Sequence, residues 1–143
     1  MKKDDEEILK EIQKSTGMAV KAIGMISEMV CDDIMRYELS KEKRKFSELY
    51  HKAEERLLQE KANGYHGSAV EDMLLKGSIN INTILNCSSS KLAELMIQGS
   101  NRGMTGMWKA MNHYDGATQA SLEIATEFMD LEEKCIAQLK RYL

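Results

Sequence analysis

The sequence has no proline, only three cysteines, and aromatic residues at 6% of its 143 positions. Each shortage removes a class of structure. Without proline, few points force a helix to stop. Val, Thr, Tyr, Phe and Trp are sparse beside strong helix formers, and no run alternates apolar and polar residues for long, which excludes a sheet-based fold. Cys31, Cys87 and Cys135 are an odd number with no C-x-x-C spacing. Neither a disulfide scaffold nor a compact zinc site fits them, and free thiols in a reducing cytoplasm are expected. No apolar run approaches the roughly 20 residues that cross a bilayer. Residues 1–7 are charged with no apolar segment behind them, so no secretory leader is expected. The net charge of −3 argues against nucleic acid as a partner, because phosphate binding needs a basic surface.

What is present is helical. A chain with 43% hydrophobic and 30% charged residues suits one soluble domain over 1–143 with a substantial core. The first helix is expected over 4–30, with Leu9, Ile12, Thr16, Ala19, Ile23, Ile26 and Val30 in one stripe. Asp4, Asp5, Glu6 and Glu7 sit in its first turn, where the helix dipole favours negative charge. A break at Cys31-Asp32-Asp33 supplies an N-cap for a second helix over 33–62, with Met35, Leu39, Phe46, Leu49, Ala53 and Leu57 inward. Asn63-Gly64 would end it. Ser68 and Glu71 read as a capping box for a third helix. Its apolar phase holds from Val70 through Leu92, Leu95, Gly99, Gly103 and Gly106 to Ala110. That continuity predicts one helix over 69–113, kinked near Cys87–Ser90; two helices broken at the serines is the other reading. After a turn at 113–116, the last helix covers 117–142. The expected fold is an all-α, antiparallel four-helix bundle running up-down-up-down.

A third helix of about 65 Å would overhang partners of about 40–45 Å, at 1.5 Å per residue. The overhang motivates a homodimer. Gly99, Gly103 and Gly106 need a reason, because an interior glycine costs a helix about 1 kcal/mol relative to Ala. Close helix–helix packing is the favoured reason and a small-molecule groove the other. The 11 methionines are read as gap fillers beside the apolar stripes.

Few residues point to chemistry. Glu48-Leu-Tyr-His51 has the E-x-x-H spacing of di-iron bundles. With Phe46 facing the core, however, 100° per residue turns Glu48 and His51 to solvent. The first and last helices contain no histidine to supply a second such motif, and His66 and His113 fall in loop regions. The mixed-sign stretch 41–56 reads as a solvated face. Two carboxylates break the binary pattern. Glu42 lies between Leu39 and Phe46, and Glu132 among Met129, Leu131, Cys135 and Ile136. A buried carboxylate must be paired, protonated or metal-bound. The expected arrangement is a hydrogen-bonded Glu132–Arg102 pair, with Gln98 as second candidate; if any metal binds, Glu42 and Glu132 are its ligands.

The segment Asn82-Thr-Ile-Leu-Asn-Cys-Ser-Ser-Ser-Lys-Leu-Ala-Glu-Leu-Met-Ile-Gln-Gly99, then Gly103, and the ending Asp130-Leu-Glu-Glu-Lys-Cys-Ile-Ala-Gln-Leu-Lys-Arg-Tyr-Leu143 resemble a bacterial family of small ferritin-like helical bundles of unknown function. The resemblance covers about residues 17–143, and Arg102 stands where that family has an apolar residue. It implies a ferritin-like frame and carries no catalytic or ligand set. The functional expectations are ordered accordingly. A non-catalytic, cytoplasmic bundle acting by self-association, as a homodimer, or by binding another protein comes first. A metal- or redox-binding bundle using Glu42 and Glu132 is the alternative, and an apolar small-ligand binder follows. No cofactor, nucleic acid or membrane is expected as a partner.

Overall fold

The computed structural model describes residues 2–62, 64–65 and 88–143. These form four α-helices: α1 (Lys3–Ser27), α2 (Asp33–Gln59), α3 (Ser89–His113) and α4 (Gln119–Leu139), followed by a 3-10 turn at Lys140–Tyr142. Among the described residues there is no strand, and no helix is long and apolar enough to cross a membrane. The helical reading therefore holds. The expected capping box at Ser68 and Glu71, the loop with His66, and Cys87 lie outside the described residues.

Helix ends follow local chemistry. The Asp32 side chain accepts a hydrogen bond from the Met35 backbone N–H at 2.8 Å and caps α2, as its position suggests. At the other end of α2 the left-handed residue is Lys61, with φ 53°, rather than Gly64. The N-terminus of α3 overturns the expectation of one helix over 69–113. Ser88 is extended backbone (φ −61°, ψ 139°), and its hydroxyl accepts from the Lys91 N–H at 3.2 Å. The helix ending at His113 thus starts at Ser89, because a serine offering a hydroxyl to a free N–H competes with helix continuation.

Directions follow from contacts between the helices. Gly17 lies against Tyr50 and Gly24 against Lys43, so α1 and α2 are antiparallel. The chain just beyond α3 returns to the start of α1, where Asp4 accepts from the Gly116 N–H at 2.8 Å. The start of α4 sits there too, with Asp5 accepting from the Thr118 N–H at 2.7 Å. The far end of α4 reaches the start of α2, where Arg141 and Tyr142 donate to Glu38 at 2.8 and 2.9 Å. The described helices therefore run up, down, down, up, in place of the expected up-down-up-down. The end of α2 and the start of α3 consequently lie at opposite ends of the molecule. At 25 residues α3 matches α1 and nearly matches α2 at 27. Among the described residues the overhang that motivated a dimer is absent.

One apolar core joins the four helices. α1 and α4 pack against each other and against both remaining helices, while α2 and α3 make little contact. Ile8, Leu9, Ile12, Ile23 and Ile26 of α1 meet Met35, Leu39, Phe46 and Leu57 of α2, with Leu92 and Met107 of α3 and Phe128 of α4 closing the centre. The Phe46 and Phe128 ring centroids are 6.3 Å apart. The buried face of α3 is Leu92, Ala93, Met96, Ser100, Met104, Met107 and Ala110. It is turned by one residue from the expected Leu95-Gly99-Gly103-Gly106 stripe. A helix that begins afresh at Ser89 is not bound to a phase carried across the serines.

Candidate polar-floored pocket

The one-residue turn of α3 gives its glycines a different task. A Cβ placed on Gly99 would meet nothing within 4 Å, so no described helix packs there. A Cβ on Gly103 would stand 2.8 Å from the Glu132 Oε2 and 3.3 Å from the Phe128 Cζ, and one on Gly106 would stand 3.2 Å from the Glu11 Oε1. The stripe expected to seat a helix instead flanks a pocket of about 310 Å³ between α1 and α3. Met18, Ala22, Ile23 and Ile26 of α1 form one wall, and Leu95, Met96 and Gly99 of α3 the other. Phe46, Glu132 and Cys135 lie at its inner end, while Glu11, Lys14 and Arg102 also border it.

The floor carries one buried carboxyl, Glu132, and a second, Glu42, lies near enough to act on it without lining the pocket. Glu132 and Glu42 are each 4% exposed, so both sequence expectations of burial hold. The expected Glu132–Arg102 pair does not form. Arg102 is exposed, as is Gln98, and the donor to Glu132 is Ser100, whose hydroxyl lies 3.4 Å from Oε1. The reason lies in the helical phase: Ser100 is on the buried face of α3, and Arg102 is turned about 200° away from it. In the sequence Ser100 is legible only as the polar member of the Met96-Ser100-Met104 spacing, which the glycines obscure.

Burial is the main influence on both carboxyls. It pushes Glu132 up to about 8, opposed by the Ser100 hydroxyl and reinforced by the charge of Glu42. Burial likewise pushes Glu42 up to about 7, with the Cys135 thiol and Lys45 pulling down and Glu38 pushing up. Neither Glu42 oxygen makes a hydrogen bond of normal geometry, so the thiol acts on it as a nearby dipole only. Burial, followed by the two carboxylates, pushes the Cys135 thiol far up. That keeps it a neutral, unreactive group.

The remaining candidates are dispersed. Glu48 and His51 are not turned into the core, as the helical wheel requires, and the His51 Nδ1 lies 3.5 Å from the Glu54 Oε1. His113 is exposed against Tyr114, and Cys31 is exposed. Among the described residues, no three His, Cys, Asp or Glu side chains converge in a way that could hold a metal ion. Among the described residues, Glu42 and Glu132 therefore lack the further donors a carboxylate metal site uses. The arrangement can do something simpler: hold a hydrogen-bonding group of a small molecule against a carboxyl in apolar surroundings. No protein-family model, curated protein or solved structure matches the chain.

Proposed function

We propose that this protein binds a small, mainly apolar molecule in the pocket between α1 and α3, on a frame best described as a four-helix bundle. One observation carries the reading: a cavity of about 310 Å³ with apolar walls ends on a carboxyl that is 4% exposed. Small-molecule sites are concave and mostly apolar, hold a few placed polar groups, and measure about 300–1,000 Å³. The glycines fit the same reading, since each stands where a side chain would narrow the pocket or strike its polar floor. Self-association and metal binding rank lower. Among the described residues, the overhang that favoured the first is missing and the carboxyl pair that favoured the second lacks companion donors.

The test is binding of cyclohexylmethanol, a compact apolar probe with one hydroxyl, followed by calorimetry and by the thermal unfolding midpoint. Wild type should bind and rise in midpoint. Gly99→Leu, placed where there is open space, should stay folded by circular dichroism and lose the binding. No binding to wild type, or equal binding to the filled variant, would overturn the proposal.

A further inference from the structure

The Glu132 carboxyl gives the pocket a chemical preference, an inference that rests on the ligand-binding reading above. Its Oε1 is engaged by Ser100 only at 3.4 Å. Its Oε2 points at the place where Gly103 lacks a side chain, and among the described residues no donor reaches that oxygen. Glu42 adds a second acidic group behind Glu132, and Cys135 on the same helix stays neutral. The cations bordering the pocket are Lys14 and Arg102, and neither pairs with Glu132; Glu11 adds an acidic group from α1. The floor therefore lacks a positive charge that the protein itself does not supply. The Phe46 ring lines the same pocket, and an aromatic face attracts a cation. The walls contributed by Met18, Ile23, Ile26, Leu95 and Met96 offer no oxygen or nitrogen ligands and suit a hydrocarbon body.

We infer that the pocket takes a compact hydrophobic amine, bound as its ammonium ion, with the charged nitrogen donating to Glu132 and the hydrocarbon lying between α1 and α3. A charge-assisted hydrogen bond is roughly twice as strong as a neutral one, so the ammonium should be favoured over an alcohol of equal shape. Where Glu132 is ionised, a carboxylate would be repelled by the floor. Binding is also linked to protons. Glu132 holds its proton up to about pH 8, so an ammonium arriving at lower pH must displace that proton. Amine affinity should rise with pH until Glu132 is ionised and then level off. The groups that share this environment are Glu42 from α2, Ser100 and Arg102 from α3, Cys135 from α4, and Glu11 and Lys14 from α1.

The experiment compares cyclohexylmethylamine, cyclohexylmethanol and cyclohexanecarboxylate by calorimetry on the whole chain at pH 6 and pH 8.5. At pH 8.5 the amine should bind about tenfold or more tightly than the alcohol, an advantage of about 1.4 kcal/mol, and the carboxylate should bind most weakly. The amine's advantage should shrink at pH 6. Titrations at pH 7 in two buffers of different ionisation enthalpy should show proton release with the amine and none with the alcohol. Glu132→Gln should lose the preference for the amine over the alcohol; should that variant fold poorly, the proton release in wild type decides the same question. Alcohol binding with no amine advantage, or an advantage without proton release, overturns this inference and leaves the pocket standing. Failure of every probe, alcohol included, overturns both.

Discussion

At the scale of single residues, two glycines of one helix have opposite reasons to exist, and substitution should separate them. Gly99 borders the pocket and an added methyl meets no atom within 4 Å, so for stability only the helix cost counts. Gly99→Ala should stabilise the protein by about 0.5–1 kcal/mol through helix propensity. Gly103 faces the Glu132 Oε2 at 2.8 Å and the Phe128 Cζ at 3.3 Å from an added Cβ. Because both neighbours are buried, Gly103→Ala should destabilise by about 1–3 kcal/mol as the carboxyl and ring are pushed aside. Urea midpoints of the two variants, measured side by side, should move in opposite directions; equal shifts would mean the local geometry is wrong. Sequence alone makes these residues noticeable but does not tell them apart. Their difference depends on the rotation of α3 about its axis, which a spacing argument fixes only within an unbroken helix.

At the scale of elements, legibility in the sequence depends on how local the signal is. The stripes of α1 and α2 and the apolar arc of α4 depend on neighbours three and four positions away, and their residues are buried as expected except Ala19 and Ile136, which are half-buried. The cap at Asp32 is equally local. The start of α3 is harder to read because two local signals compete there: an apolar period that runs on through 87–90 and a serine able to cap. Capping prevails at Ser88, so Ser88→Ala should cost about 1 kcal/mol in the urea midpoint. The cap of α4 is long-range and has no sequence signature. Asp5, on a different helix, accepts from both the Thr118 N–H at 2.7 Å and its hydroxyl at 2.8 Å. Asp5→Ala removes both bonds and leaves the first turn of α4 short of an acceptor. It should cost about 1–3 kcal/mol in the same measurement, more than the loss of Ser88. If Asp5→Ala were the milder change, the tie from α1 to α4 would have little energetic weight.

At the scale of the whole molecule, the buried acids give stability two pH limbs of different origin. Burial works against the charge of Asp5, but the Ser121 hydroxyl nearby, the two Thr118 bonds and Lys2 outweigh it, so its pKa lies below the ordinary value. A carboxyl depressed on folding contributes stability that is present above its unfolded pKa, about 3.9, and is lost as pH falls through the folded value. Glu42 and Glu132 have the opposite sign. Their folded values of about 7 and about 8 lie above the unfolded value of about 4.3. Between these limits the native state holds more protons than the unfolded chain, so stability falls as pH rises from about 4.3 to about 8, and then levels. Maximum stability should therefore lie near pH 4–5, below the usual range of about 5–8. The decline toward pH 9 should amount to several kcal/mol, about 9 at most at about 1.4 kcal/mol per unit of raised pKa, with the two carboxyls titrating as a coupled pair rather than separately. Denaturant midpoints measured from pH 3 to pH 9 test this directly. Glu132→Gln should flatten the alkaline limb while sparing the acid one, and Asp5→Asn should alter the acid limb alone. A wild-type midpoint that climbs between pH 5 and pH 8 would show that Glu132 at the pocket floor and Glu42 near it are ionised and compensated, and would remove the unmet negative charge on which a cationic ligand depends.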